Sequence, residues 1–204
     1  LPISSRAPRG LFDYLHRLQR GFIMSRIAPI QLENTTATTA ATLQAVQSKL
    51  GVLPNMFTTF AHAPAALNGY LQLSEALASG RLNAQQREMV AIAVAQENSC
   101  EYCLSAHAAL GKGAGLKDQA ILQAQKGRAD NPLDAAILTL ALEITRNRGG
   151  ISDGQLAVAR KAGLDDGQIV EVVSHVALNV LTNYLNRLAG TEVDFPRITL
   201  SAAA

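Results

Sequence analysis

From Thr36 to Leu188 the chain repeats one pattern: apolar residues at three- and four-residue steps, a glycine or polar cap, then the same again. The pattern predicts a helix from about Thr38 to Leu50 that stops at Gly51. A short helix follows Pro54 and breaks at Ala63 and Pro64, and another runs from about Pro64 to Ser79 and ends at Gly80. Asn83 with Gln86 has the form of a capping box and opens the run MVAIAVA, so the next helix carries to about Glu97. Asn98 and Ser99 interrupt it, and Ser99 is expected to cap a helix from about Cys100 to Lys112, closed by Gly113 and Gly115. Beyond lie a short helix over Asp118 to Lys126, one from Asn131 and Pro132 to about Arg146, and one opened by a Ser152/Gln155 capping box and ended by Gly163. The last helix, about Asp166 to Leu188, carries a stripe of Ile169, Val172, Val173, Val176, Val180, Leu181, Tyr184 and Leu188, which reads as core or subunit interface. No strand-like alternation bounded by hairpin turns interrupts this series, so the fold class is all-α.

Composition agrees. The 204 residues are 48% hydrophobic and 17% charged, enough apolar material for a buried core, and with aromatics at 4% and no Trp they favour close-packed helices over aromatic-rich strands. The net charge of +2 is lopsided: the first 23 residues carry +3 through Arg6, Arg9, Arg17 and Arg20 against Asp13, leaving −1 for the rest. A nearly neutral body gives no footprint for nucleic acid. Met89 to Ala95, seven residues, is the longest apolar run, far below the roughly twenty of a membrane span, so no membrane partner is expected.

The stretch ahead of Met24 has neither a long apolar segment nor a small-residue cleavage site, so it does not read as a secretory signal, and a cytoplasmic location is expected. Residues 1–30 are read as an extension outside the core, residues 31–197 as one compact helical domain and residues 198–204 as a tail. GLKDQAILQA from Gly115 and GLDDGQIVEVV from Gly163 share a Gly-Leu turn, an acidic cap and an apolar helix, a short hint of internal duplication.

The chemistry concentrates in one segment. The only two cysteines stand as Cys100-Glu101-Tyr102-Cys103. A disulfide closing so short a loop removes little entropy from the unfolded chain, so the pair reads as redox-active or metal-binding rather than as a staple. At about 100° per residue, Cys100, Cys103 and His107 fall on one helix face, with His107 one turn beyond Cys103. A thiol attacks as thiolate, and a free cysteine is mostly protonated at neutral pH. The imidazole can take that proton, the helix N-terminus favours a negative sulfur, and an acid, Glu88 or Glu97, can orient the imidazole. Position alone leaves the nucleophile open: His107 favours Cys103, while Cys100 is nearer the helix N-terminus.

Glu88, eleven residues, Cys100-x-x-Cys103, three residues and His107 together resemble the E-x11-C-x2-C-x3-H signature of AhpD-like alkylhydroperoxidases in the carboxymuconolactone decarboxylase superfamily. The text HVALNVLTNYLNRLAGTEVDFP from His175 resembles the peroxidase-related branch. The resemblance covers about Gln31 to Pro196 and implies an all-helical homo-oligomer that reduces organic hydroperoxides or disulfides with electrons from an external thiol donor and no cofactor. It further implies Cys103 as peroxidatic nucleophile, Cys100 as resolving thiol, and His107 and Glu88 as the proton relay. One position departs: Tyr102 stands where the best-known members have His.

Two other functions stand as alternatives. A metal-binding or regulatory module would use Cys100, Cys103 and His107 with Glu88 as fourth ligand, although no second CxxC or HxxxH completes a structural site and no resident metal is expected. Lactone decarboxylation, as elsewhere in the superfamily, does not rely on the cysteine pair. His175, among Val172, Val176 and Ala177, reads as a satisfied core or interface histidine, and His16 and His62 as surface or loop residues. Gly111, Gly113 and Gly115 follow no strand and read as a helix end, not a phosphate loop.

Overall fold

The computed structural model describes residues 25–201. Among them it contains no strand; after a 3-10 turn at Leu32–Asn34 come nine α-helices. These are α1 (Ala37–Leu50), α2 (Asn55–Phe60), α3 (Pro64–Ala78), α4 (Ala84–Glu97), α5 (Glu101–Gly113), α6 (Asp118–Gln125), α7 (Pro132–Asn147), α8 (Asp153–Lys161) and α9 (Asp166–Ala189). The protein is all-α, as its periodicity predicts.

Local chemistry sets the boundaries. The Thr36 hydroxyl accepts from the Thr39 N–H to open α1, and Gly51, at φ 77°, closes it. Asn83 with Gln86 and Ser152 with Gln155 form full capping boxes, and Asp165 with Gln168 adds a third at the start of α9. Gly115 and Gly163 both take positive φ, tucking Leu116 and Leu164 into the core.

α4 is the hub. Every residue from Met89 to Ala95 is buried, because this stretch of the helix is apolar all round and the helix packs against α5, α6, α7 and α9. The inner side of α9, including Val172 and Val176, crosses α4 and completes the core. Among the described residues no helix is long and apolar enough to cross a membrane.

The turn from α4 into α5 differs from expectation. Ser99 does not cap α5; it sits in the left-handed region at φ 54°, where the chain reverses. The Cys100 N–H closes back on the Ala95 carbonyl at 2.8 Å, the six-to-one bond of a Schellman end, which requires a left-handed residue just before it. An N-cap needs extended backbone, and Cys100 has it (φ −98°, ψ 91°), so its sulfur accepts the Cys103 N–H at 3.3 Å.

After α9 the chain turns at Gly190 and runs back across α4 and α5. The Asp194 carboxylate accepts the Asn55 N–H at 2.7 Å, Ser105 Oγ accepts the Ile198 N–H at 3.0 Å, and Gln96 Oε1 accepts the Ser201 N–H at 3.0 Å. Residues 198–201, grouped with the tail on sequence, thus lie against the helices. At the other end, the Arg26 N–H bonds the Ala189 carbonyl at 2.6 Å.

Candidate active site

The reversal at Ser99 lays α5 antiparallel beside α4 and puts Cys100 at the N-cap of α5 and Cys103 in its first turn. The two sulfurs are bonded to each other as a disulfide. Both residues are buried, Cys100 with 1% and Cys103 with 2% of its surface exposed.

His107 stands on the same face of α5, one turn on. Its Nδ1 lies 2.8 Å from Glu88 Oε2 on α4. A carboxylate has no proton to give, so Nδ1 is the donor, and Nε2 is left as the nitrogen free to accept. Continuous helical geometry would turn Glu88 about 120° away from the cysteines. The break at Asn98 and Ser99 brings it back across the α4/α5 contact.

The other acid candidate is not brought in. Glu97 pairs with Arg146 on α7 at 2.8 Å, a bond that raises the Arg146 guanidinium above its ordinary range.

Cys103 and His107 wall a cavity of about 250 Å³ whose sides are largely apolar, with Met56, Phe57, Tyr70 and Phe195 among its lining residues. Cys100 is not among the lining residues. Tyr70 stacks on Phe60 at 5.3 Å between centroids, and burial, helped by the Glu88 charge, pushes its phenol up to about 12. Lys49, an exposed residue of α1, lines the same cavity.

Tyr102, the position at which the sequence departs from the best-known members of the resembled family, serves as a brace. Its hydroxyl accepts the Met56 N–H at 3.2 Å at the start of α2, and its ring meets Phe195 edge-on at 5.8 Å. Burial, reinforced by Asp194, drives its phenol far above the ordinary value, so it stays a neutral hydroxyl.

A residue missed on sequence completes the sulfur's surroundings. Asn186 of α9 sits with its Nδ2 3.3 Å from Cys103 Sγ. One turn earlier, Asn183 Oδ1 accepts from Asn98 Nδ2 at 2.9 Å, tying α9 to the α4–α5 turn. Their only signal in the sequence is three polar residues, Asn179, Asn183 and Asn186, at helical spacing within an apolar helix.

His175 is buried in the core as expected, but it is not satisfied: its Nε2 has no hydrogen-bond partner. Desolvation, with Arg87 adding to it and Glu171 and Glu88 opposing, holds the imidazole below its ordinary value of 6.5. His62 Nε2 lies 2.8 Å from the Ala28 carbonyl oxygen at the surface, and His16 falls outside the described residues. Among the described residues, no group of three His, Cys, Asp or Glu side chains is placed to hold a metal ion.

Known proteins resemble the chain in sequence and in fold. The model of the Carboxymuconolactone decarboxylase family matches residues 64–142, from α3 to α7, and so includes Glu88, both cysteines and His107. A crystal structure described as an alkylhydroperoxidase AhpD core, an uncharacterized peroxidase-related protein from Ralstonia eutropha JMP134, superposes with a TM-score of 0.77 at 26% identity, covering 84% of this chain and 93% of that one. The chain thus matches the carboxymuconolactone decarboxylase family over residues 64–142 and shares the fold of an AhpD core. A second peroxidase-related protein, from Silicibacter sp. TM1040, shares the AhpD-like fold with a TM-score of 0.73 at 22% identity over 84% of this chain and 94% of its own. So does the debrominase Bmp8, solved as a cysteine-to-alanine variant in complex with 2,3,4-tribromopyrrole, with a TM-score of 0.71 at 14% identity over 84% and 93%. No curated protein matches the sequence. A peroxidase-related role is therefore supported at the level of the superfamily.

Proposed function

We propose that the protein is a thiol peroxidase that reduces small, largely apolar organic hydroperoxides through Cys103, Cys100, His107 and Glu88. The observation that carries this reading is the shared wall: Cys103 and His107 line the apolar cavity, and Cys100 does not. A molecule entering that cavity reaches the sulfur beside the imidazole first. This supports Cys103 as nucleophile over Cys100, the choice that position along the helix leaves open.

In the reduced enzyme, His107 Nε2 takes the Cys103 thiol proton while Glu88 holds Nδ1–H and steadies the imidazolium. The thiolate attacks the terminal oxygen of ROOH and the O–O bond breaks. The alkoxide takes the proton from His107 and leaves as ROH, and Cys103 becomes a sulfenic acid. The Cys100 sulfur then attacks the Cys103 sulfur. Hydroxide departs with the Cys100 proton as water, and the Cys100–Cys103 disulfide results. An external donor supplies two thiols, becomes a disulfide itself and restores the pair. That requirement fits a reducing cytoplasm. The exposed apolar residues of α9, Val170, Val173, Leu181, Tyr184 and Leu188, fit a homo-oligomer.

The test is turnover of cumene hydroperoxide with a dithiol as reductant. The wild-type protein is expected to consume the peroxide catalytically and Cys103→Ser to lose that turnover. Equal rates for the two would overturn the proposal.

A further inference from the structure

We infer that Asn186 is a further catalytic residue of this reaction, whose side-chain amide donates to the Cys103 sulfur and holds it as the attacking thiolate. The inference rests on the peroxidase reading and adds a residue 83 positions away from Cys103 in the chain.

The two sulfurs differ in what stabilises their negative charge. Cys100, at the N-cap, receives the backbone N–H of Cys103 at 3.3 Å. The helix terminus therefore serves Cys100, and without another donor it would favour Cys100 as the thiolate. Asn186 Nδ2, at 3.3 Å from Cys103 Sγ, is the donor that offsets this bias. It acts at the sulfur that faces the cavity and His107.

The surroundings of Asn186 argue against a purely structural part. Only 3% of the residue is exposed, and its Oδ1 has no hydrogen-bond partner. An apolar side chain in this place would leave no buried carbonyl bare, so this amide costs stability where it stands. What it gains is one N–H on a reactive sulfur. The register is held from both sides: Asn183 grips Asn98 one turn earlier, and the Asn186 backbone carbonyl accepts the Thr191 N–H at 3.0 Å.

The experiment uses Cys100→Ser, in which Cys103 is the single thiol of the chain. Its alkylation by iodoacetamide is followed against pH, alone and combined with Asn186→Leu or Asn186→Asp. Loss of the donor is expected to raise the alkylation midpoint by about one pH unit, which is about tenfold less thiolate below both midpoints. Asn186→Asp, which keeps the shape of the side chain, should raise it at least as far, since a carboxylate repels the thiolate. Coincident midpoints in folded variants, checked by circular dichroism, overturn the inference. Alkylation needs neither peroxide nor thiol donor. A raised midpoint in a protein without peroxide turnover would therefore uphold the donor role at the sulfur and overturn the peroxidase reading instead.

Discussion

Glu88 and His107 meet across two helices: Oε2 of one lies 2.8 Å from Nδ1 of the other, and each side chain keeps only about a fifth of its surface exposed. The contact fixes the tautomer. With Nδ1–H committed to the carboxylate, Nε2 is the nitrogen that can take a proton, and the charge of Glu88 steadies the imidazolium that results. Glu88→Gln keeps an acceptor in place and removes that charge. It should lower kcat/KM for cumene hydroperoxide by about ten- to a hundredfold, whereas His107→Gln, which removes the base, should lower it by about 10²–10⁴-fold. Steady-state kinetics with a dithiol reductant checks both, and a Glu88→Gln enzyme as fast as wild type would remove Glu88 from the relay.

The disulfide gives a second prediction, which needs no turnover. Treating fully reduced protein with one equivalent of organic hydroperoxide should remove two hydrogens and leave both thiols blocked to alkylation. Cys100→Ser should instead stop at the sulfenic acid, gaining one oxygen and trapping a dimedone probe. Intact-protein mass spectrometry distinguishes the products. Gain of oxygen without loss of hydrogen in the wild-type protein would mean that Cys100 does not resolve Cys103.

Most of the fold was legible because helix ends carry local chemistry. Thr36, Asn83, Asn131 and Ser152 cap helices by side-chain bonds to residues two or three ahead, and such bonds can be read from spacing. The site was legible in part. Cys100, Cys103 and His107 lie on one helix, so angular arithmetic brings them together, but Glu88 requires knowing how sharply the chain turns at Ser99. A serine in left-handed backbone announces nothing, which is why it was read as a cap. Asn186 and Phe195 reach the site only through the packing of α9 and the irregular stretch after it; Phe195 has no periodicity to betray it, and Asn186 only its helical spacing from Asn179 and Asn183, which assigns no role.

Ser99 also makes a stability prediction. An L-residue in left-handed backbone is strained by roughly 1–2 kcal/mol, part of which Gly returns through its more flexible unfolded state. Ser99→Gly should therefore stabilise the protein by about 0.5–1 kcal/mol, and Ser99→Val, β-branched at φ 54°, should destabilise it by at least about 1 kcal/mol. Urea denaturation measures both. A Gly variant less stable than wild type would mean that the serine side chain holds the turn.

His175 makes the stability pH-dependent in a definite direction. Its folded-state value lies below 6.5, chiefly by burial, so the unfolded chain binds the proton more readily. The contribution of neutral His175 is therefore fully present above about pH 6.5 and declines as pH falls below it towards the lower folded value. Arg87 strengthens the effect and Glu171 and Glu88 weaken it. Thermal midpoints should fall between pH 7 and pH 5, and His175→Leu, which also removes the unpartnered Nε2, should make that fall shallower. Parallel curves for the two proteins would mean that the acid sensitivity resides elsewhere.

The outer face of α9 carries the last prediction. Val170, Val173, Ala177, Leu181, Tyr184 and Leu188 follow one another at three- and four-residue steps, a straight stripe about 27 Å long, and all six are exposed, Tyr184 by 58% and Leu188 by 60%. The opposite side of the same helix holds Val172, Val176, Asn183 and Asn186 inside the fold. The eight-residue stripe read from the sequence thus divides between two sides of the helix. Its inner members face the core, and the outer ones, Val173, Leu181, Tyr184 and Leu188, have no cover among the described residues. Apolar side chains aligned over five turns are costly to leave in water and fit a matching stripe on a second copy. Leu181→Arg together with Tyr184→Glu should lower the mass seen by light scattering to that of one chain, 21.6 kDa, without unfolding it, since neither side chain enters the core. An unchanged mass would show that another surface holds the subunits together, and a wild-type mass of one chain would show that this stripe pairs with no second copy.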